Sequence, residues 1–229
     1  MKNKSSKSSL KASVGESPTA WVYRFWAWIL LIWSFYRYAL YLPEWADEFI
    51  FKPLVFVLPV LWYVRLKEGR DLDSIGLTKK NFLSSAKIGL GICAVFLLEG
   101  VLSHLVKYGG FNLSAMTSIS GPSMVLFLIL SFATAFSEEV LNRGFLFSRL
   151  LEASGKLWFS AIVSSFMFVA FHVPLLLTTL QFHGLTLIIY FWTILVIGVV
   201  NCLLYSTKKS LVAPILIHFF WNITVAFFL

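Results

Sequence analysis

The chain has 229 residues, 59% of them hydrophobic, 17% aromatic and only 13% charged, with a formal net charge of +8. These proportions exclude a soluble domain of ordinary composition. At about 20 residues per span, the length suffices for six to eight membrane-crossing helices and leaves little room for a separate soluble domain. The expected fold is all-α: a polytopic membrane bundle of about seven transmembrane helices with a cytoplasmic N-terminus.

Residues 1–19, MKNKSSKSSLKASVGESPT, are rich in Ser and Lys and almost free of large apolar side chains, which predicts a disordered basic tail. They do not read as a secretory signal, because the first apolar run begins only at Trp21 and continues as an aromatic-rich span. Residues 20–229 are then one transmembrane domain. Hydrophobic run length places spans at roughly 21–41, 50–65, 85–106, 122–152, 157–179, 184–205 and 211–228. The second is short and holds Pro53 and Pro59, so a re-entrant segment is the alternative there.

Basic residues orient the bundle, since cytoplasmic loops are enriched in Lys and Arg. With the N-terminus inside, fifteen of the nineteen basic residues fall on the cytoplasmic side, whereas the opposite loops hold the acidic stretch Pro43-Glu44-Trp45-Ala46-Asp47-Glu48, with Lys52 and Lys107 as minor exceptions. The positive charge therefore reports topology and contact with anionic lipid rather than nucleic acid. Cys93 and Cys202 sit inside apolar spans, lack any ligand spacing, and read as packing residues.

Ionisable groups inside spans are costly and mark the places to look for chemistry. Glu138 and Glu139 end a long apolar run. Ser131, Thr134, Glu138 and Asn142 are spaced at steps of three, four and four, which puts them on one helical stripe facing the bundle interior. Glu139 is turned about 100° away and has Arg143 four residues on, the spacing of an intrahelical ion pair. Burial strips a carboxylate of water and makes it a stronger base, which suits Glu138 to general-base work.

His172 lies mid-helix in Phe168-Val169-Ala170-Phe171-His172, and His218 precedes Asn222 by four residues. Each alone fits a polar pair joining helices equally well. Their depths raise the functional reading. Glu138 and His172 each stand 17 residues from the turn at Gly155, so an antiparallel hairpin places both about 25 Å from it. His218 comes about eight residues after Ser210, roughly 12 Å below the cytoplasmic interface; the levels agree if the hairpin projects some 13 Å into the cytosol, with Arg143 snorkelling at the interface.

Glu138-Glu139-x-x-x-Arg143, Phe168-x-x-x-His172 and His218-x-x-x-Asn222, in this order on successive helices, resemble the three motifs of the CAAX-processing and bacteriocin-immunity family of intramembrane endopeptidases, the CPBP or Abi proteins. The resemblance covers roughly residues 75–228, including the entry Ser74-Ile75-Gly76-Leu77. It implies hydrolysis of a peptide bond in a membrane-associated substrate near the cytoplasmic face, in a bacterial or archaeal plasma membrane. Glu138 would activate water and His172 would hold it; His218 and Asn222 would stabilise the oxyanion; Glu139, Arg143 and Phe168 would support the site.

The resemblance leaves metal use open. Glu138, His172 and His218 include the donor types of a zinc site, but no HExxH spacing is present and the donors come from three helices, so the expectation is a glutamate protease without a cofactor. Two other classes stay in view: a proton-coupled transporter using Glu99, Glu138, His172 and His218 as a relay, and a non-catalytic immunity or scaffold protein. The expected partners are a membrane-associated peptide or protein and the lipid bilayer; no feature selects a substrate or an oligomeric state.

Overall fold

A computed structural model describes residues 17–40, 42–110 and 122–228. The expected tail lies outside these residues except for Pro18 and Thr19 with Ser17. Among the described residues seven long helical elements follow one another: α1 (Ala20–Ala39), α2 (Glu44–Lys67), α3 (Phe82–Tyr108), α4 (Ser123–Ser154), α5 (Leu157–Leu180), α6 (Gly184–Lys208) and α7 (Val212–Phe228). Five of them, α2 to α6, contain stretches long and apolar enough to cross a membrane. The chain is an integral, multi-pass helical membrane protein.

The second apolar segment is continuous rather than re-entrant. Proline lacks an N–H and its ring collides with the carbonyl four residues back, which breaks an ordinary helix. Here α2 passes both prolines by widening: Asp47–Phe51, Pro53–Val57 and Tyr63–Lys67 are π-type turns, in which the carbonyl register slips by one residue. A 24-residue helix results. Its inner face buries Val55, Phe56, Val57, Val60 and Val64, while Ile50, Leu54 and Leu58 on the other side remain about half exposed. On a soluble protein such a row would be a liability; here it is the surface presented to lipid.

Helix α4 also contains a widened stretch, Val140–Phe147, all of it buried. The helix is 32 residues long, about 48 Å at 1.5 Å per residue, and its last turns extend past the start of α7. Gly144 marks the level at which they pass. A Cβ there would lie 2.9 Å from the Ile75 carbonyl oxygen and 3.3 Å from Leu211, so only glycine lets the turn before α3 and the turn before α7 close against α4. Gly144 stands ten residues before the end of α4, so the α4–α5 hairpin continues about 15 Å beyond this level.

The core divides into two parts. Towards the hairpin turn, Trp21, Phe25, Tyr63 and Phe145 pack ring on ring at 4.6–6.0 Å. Beside them Arg149, 1% exposed, donates to the Glu68 carboxylate at 2.6 and 2.8 Å and to Ser74. Deeper, Trp33 packs against Phe56, which packs against Phe171, and the Trp33 indole N–H donates to the Phe171 carbonyl at 2.9 Å. That bond ties α1 to α5 at the level of His172.

Candidate active site

Adjacent residues on a helix point about 100° apart, and α4 uses this to send Glu138 and Glu139 to different neighbours. Glu139 is fully buried. Its Oε1 accepts from Arg143 Nη1 at 2.8 Å, His218 Nδ1 at 2.9 Å and Asn201 Nδ2 at 3.2 Å, so one oxygen gathers groups from α4, α7 and α6. Arg143 is 1% exposed and stacks over the Phe168 ring with its guanidinium carbon 4.3 Å from the centroid. The expectation that Arg143 snorkels to the interface is corrected: the widened turn after Glu139 keeps it inside, and Glu139 with the aromatic face replaces water around it.

Phe168 acts twice. Its ring carries Arg143, and its backbone carbonyl accepts from His172 Nδ1 at 3.0 Å. A carbonyl can only accept, so His172 keeps its proton on Nδ1 and turns Nε2 outward. The Glu139 carboxylate likewise fixes the Nδ1 proton of His218. Both Nε2 atoms then face Glu138 Oε2, at 4.0 Å for His172 and 3.7 Å for His218. These are longer than direct hydrogen bonds, and Oε2 is buried with no hydrogen-bond partner among the described residues. Three polar atoms from α4, α5 and α7 thus converge on one point.

The other oxygen of Glu138 is engaged by a residue that sequence reasoning assigned to a loop. Lys52, 5% exposed, reaches from α2 and places Nζ 3.2 Å from Glu138 Oε1 and 2.8 Å from Glu48 Oε1. The second Glu48 oxygen accepts from Thr134, a member of the stripe that carries Glu138. Glu138 is therefore a paired carboxylate, with an ammonium group opposing the effect of burial. The signal was present as Glu48-x-x-x-Lys52, an i,i+4 ion pair, but without the widened turns the acidic cluster reads as the end of a span.

Asn222 is half-buried one turn beyond His218. Among the described residues it shares no hydrogen bond with Glu138, Glu139, His172 or His218. Asn142 donates to the Glu138 backbone carbonyl at 2.8 Å and so braces the helix rather than the carboxylate. Glu99 is exposed on α3 and does not line the cavity described next.

A cavity of about 340 Å³ reaches Glu138 and His172; its walls include Trp33 and Arg37 from α1, Glu48 and Lys52 from α2, and Thr179 from α5. His218 is not among the residues that line it, but its Nε2 stands 3.7 Å from Glu138 Oε2. Among the described residues no group of three His, Cys, Asp or Glu side chains is placed to hold a metal ion. The donor types of Glu138, His172 and His218 suit zinc, but the Lys52 ammonium sits on the same carboxylate and repels a dication. The set does not fit a resident metal.

Residues 120–224 match the family model described as type II CAAX prenyl endopeptidase Rce1-like, a stretch that contains Glu138, Glu139, Arg143, His172, His218 and Asn222. This region is similar to the Rce1-like family. The resemblance read from the three motifs is thereby borne out, and the family is one of CAAX-type intramembrane proteases. No curated protein and no solved structure gives a significant match. The Rce1-like match excludes α1 and α2, so Trp33, Glu48 and Lys52 come to the cavity from outside it.

Proposed function

We propose that this chain is an intramembrane endopeptidase in which Glu138 activates a water molecule for attack on a peptide carbonyl. The observation that carries the reading is the convergence of His172 Nε2 and His218 Nε2 on the unpartnered Glu138 Oε2. The 4.0 and 3.7 Å gaps between Oε2 and the two imidazole Nε2 atoms are each of a length that one bridging water spans. It gives one proton to Glu138 as its oxygen bonds to the carbonyl carbon, while the His172 lone pair orients the second proton. The resulting oxyanion needs a donor. His218 Nε2 and the Asn222 amide, one turn on along α7, are the two groups assigned to it. Collapse breaks the C–N bond, and Glu138 returns its proton to the departing amine. No step uses a metal.

Lys52 holds Glu138 Oε1, leaving Oε2 for the water, and Glu139 holds His218. The test compares peptide termini in membranes that contain the wild-type chain with those in membranes that contain Glu138→Gln or His172→Ala. New termini that vanish with both variants support hydrolysis. Identical termini from all three, with normal accumulation of each protein, overturn it. A proton flux lost in Glu138→Gln without any change in termini would favour the relay.

A further inference from the structure

We propose that the cavity is entered from the extracytoplasmic side of the membrane, and that its substrate is a peptide segment presented there rather than the prenylated C-terminus of a cytosolic protein. The substrate part rests on the endopeptidase reading; the orientation part does not.

The exposed residues of the cavity wall cluster at one end. Its rim is formed by Leu42 and Glu44 at the start of α2 and Thr179 at the end of α5, all exposed. Arg37 joins the rim elements by donating to Asp47 at 2.6 Å and to Thr179 at 2.9 Å. Along α2, Lys52 lies eight residues from Glu44 and fifteen from Lys67; along α5, His172 lies eight from Leu180 and fifteen from Leu157. At 1.5 Å per residue the chemistry is about 12 Å from the rim end and about 22 Å from the other. The longer way is filled by the ring cluster of Trp21, Tyr63 and Phe145, with Phe145 fully buried.

The filled end is the basic end. Arg65, Lys67, Arg70, Lys79 and Lys80 lie in or beside the loop from α2 to α3, and Lys156, Lys208 and Lys209 lie at the next two turns on that side. Contacts make these loops one face: Arg70 pairs with Glu152 at 2.7 Å, Asn81 donates to the Lys208 carbonyl at 3.0 Å, and the Leu211 N–H donates to the Gly76 carbonyl at 3.1 Å. The rim side instead holds three acids, Glu44, Asp47 and Glu48, against Arg37 and the buried Lys52. The positive-inside rule puts the basic face in the cytoplasm and the rim outside.

Exposed tryptophans near the ends of α2 and α5 agree with this placement, although Trp28 and Trp192, 67% and 65% exposed, lie mid-helix. Trp45 is 53% exposed beside the rim, and Trp62 and Trp158 are 49% and 61% exposed towards the basic face. Tryptophan marks the membrane–water boundary. Trp45 to Trp62 spans seventeen residues, about 25 Å of helix against a hydrocarbon core of about 30 Å. Lys52, seven residues from Trp45, then lies about 10 Å beneath the outer boundary. The cytoplasmic site implied by the resemblance matched a His218 depth counted from the turn before α7; that turn packs level with Gly144, inside the longer α4–α5 hairpin.

Single cysteines at Leu42, Thr179, Lys156 and Lys209, with Cys93 and Cys202 replaced by Ala, test the orientation in intact bacterial cells with a membrane-impermeant maleimide. The expected result is labelling of Leu42→Cys and Thr179→Cys at least tenfold above Lys156→Cys and Lys209→Cys before lysis, and equal labelling afterwards. Reporter fusions to the two termini and to the α4–α5 turn give an independent topology if a variant fails to accumulate. Labelling of Thr179→Cys from outside should also block Glu138-dependent cleavage, whereas labelling of Lys156→Cys after lysis should not. A reversed labelling pattern overturns the extracytoplasmic entrance and leaves Glu138 as the base; cleavage indifferent to Glu138 overturns the hydrolase and leaves the orientation standing.

Discussion

Removing the ammonium of Lys52 should expose how much of the site depends on charge balance. In Lys52→Met, Glu48 and Glu138 lose a partner at 2.8 and 3.2 Å. At an effective dielectric of about 20, these contacts are worth about 6 and 5 kcal/mol of Coulomb energy, before the several kcal/mol that desolvation takes back. Deleting one member of a buried pair costs about 3–5 kcal/mol, because the charge left behind has no compensation. Unfolding in mixed micelles should show that loss for Lys52→Met, and a smaller loss when Glu138→Gln is added, with a coupling of about 1–3 kcal/mol between the two sites. Additivity within about 0.5 kcal/mol would refute the pairing. If a comparable 3–4 kcal/mol is lost from the transition state, kcat falls by about 10²–10³, and Lys52→Arg, which keeps the charge, should recover part of it.

Glu138→Gln, His172→Ala and His218→Ala should each abolish cleavage while the protein still inserts, whereas Asn222→Ala should retain measurable activity; equal cleavage by all four would refute the assignment of the base. Glu139→Gln keeps the shape of the acceptor but leaves Arg143 buried without its counter-charge, so a stability loss of about 3–5 kcal/mol is expected by the same micelle unfolding. Gly198→Ala would place a Cβ 2.8 Å from Ser165 Oγ and 3.4 Å from Arg143 Nη2, and should cost about 1–3 kcal/mol as α6 moves off α5. Purified protein should keep its activity in a zinc chelator; loss that zinc restores would reinstate a metal mechanism.

Much of this architecture was legible in run length and spacing. The seven expected spans correspond to α1–α7, and the equal separation of Glu138 and His172 from Gly155 places them across from each other, as the hairpin shows. The Glu139–Arg143 pair also follows from spacing alone. What spacing could not show was depth between non-neighbouring helices. Nothing local to α2 says that Lys52 will meet a carboxylate 86 residues away, because the encounter depends on how two prolines are absorbed. For the same reason Asn201, which reads as one polar residue in an apolar helix, was missed as a partner of Glu139.

The Lys52 bridge also bears on how the chain is made. A charged side chain at the centre of a helix raises the cost of entering the bilayer by about 2.5–3.5 kcal/mol, less near its ends, and α2 carries Glu48 and Lys52 as an i,i+4 pair in its first half. Their counterparts, Thr134 and Glu138, are synthesised some 86 residues later. During biogenesis α2 is therefore a poor passenger until α4 emerges, and the N-terminal helices settle into lipid as companions of the later ones rather than ahead of them.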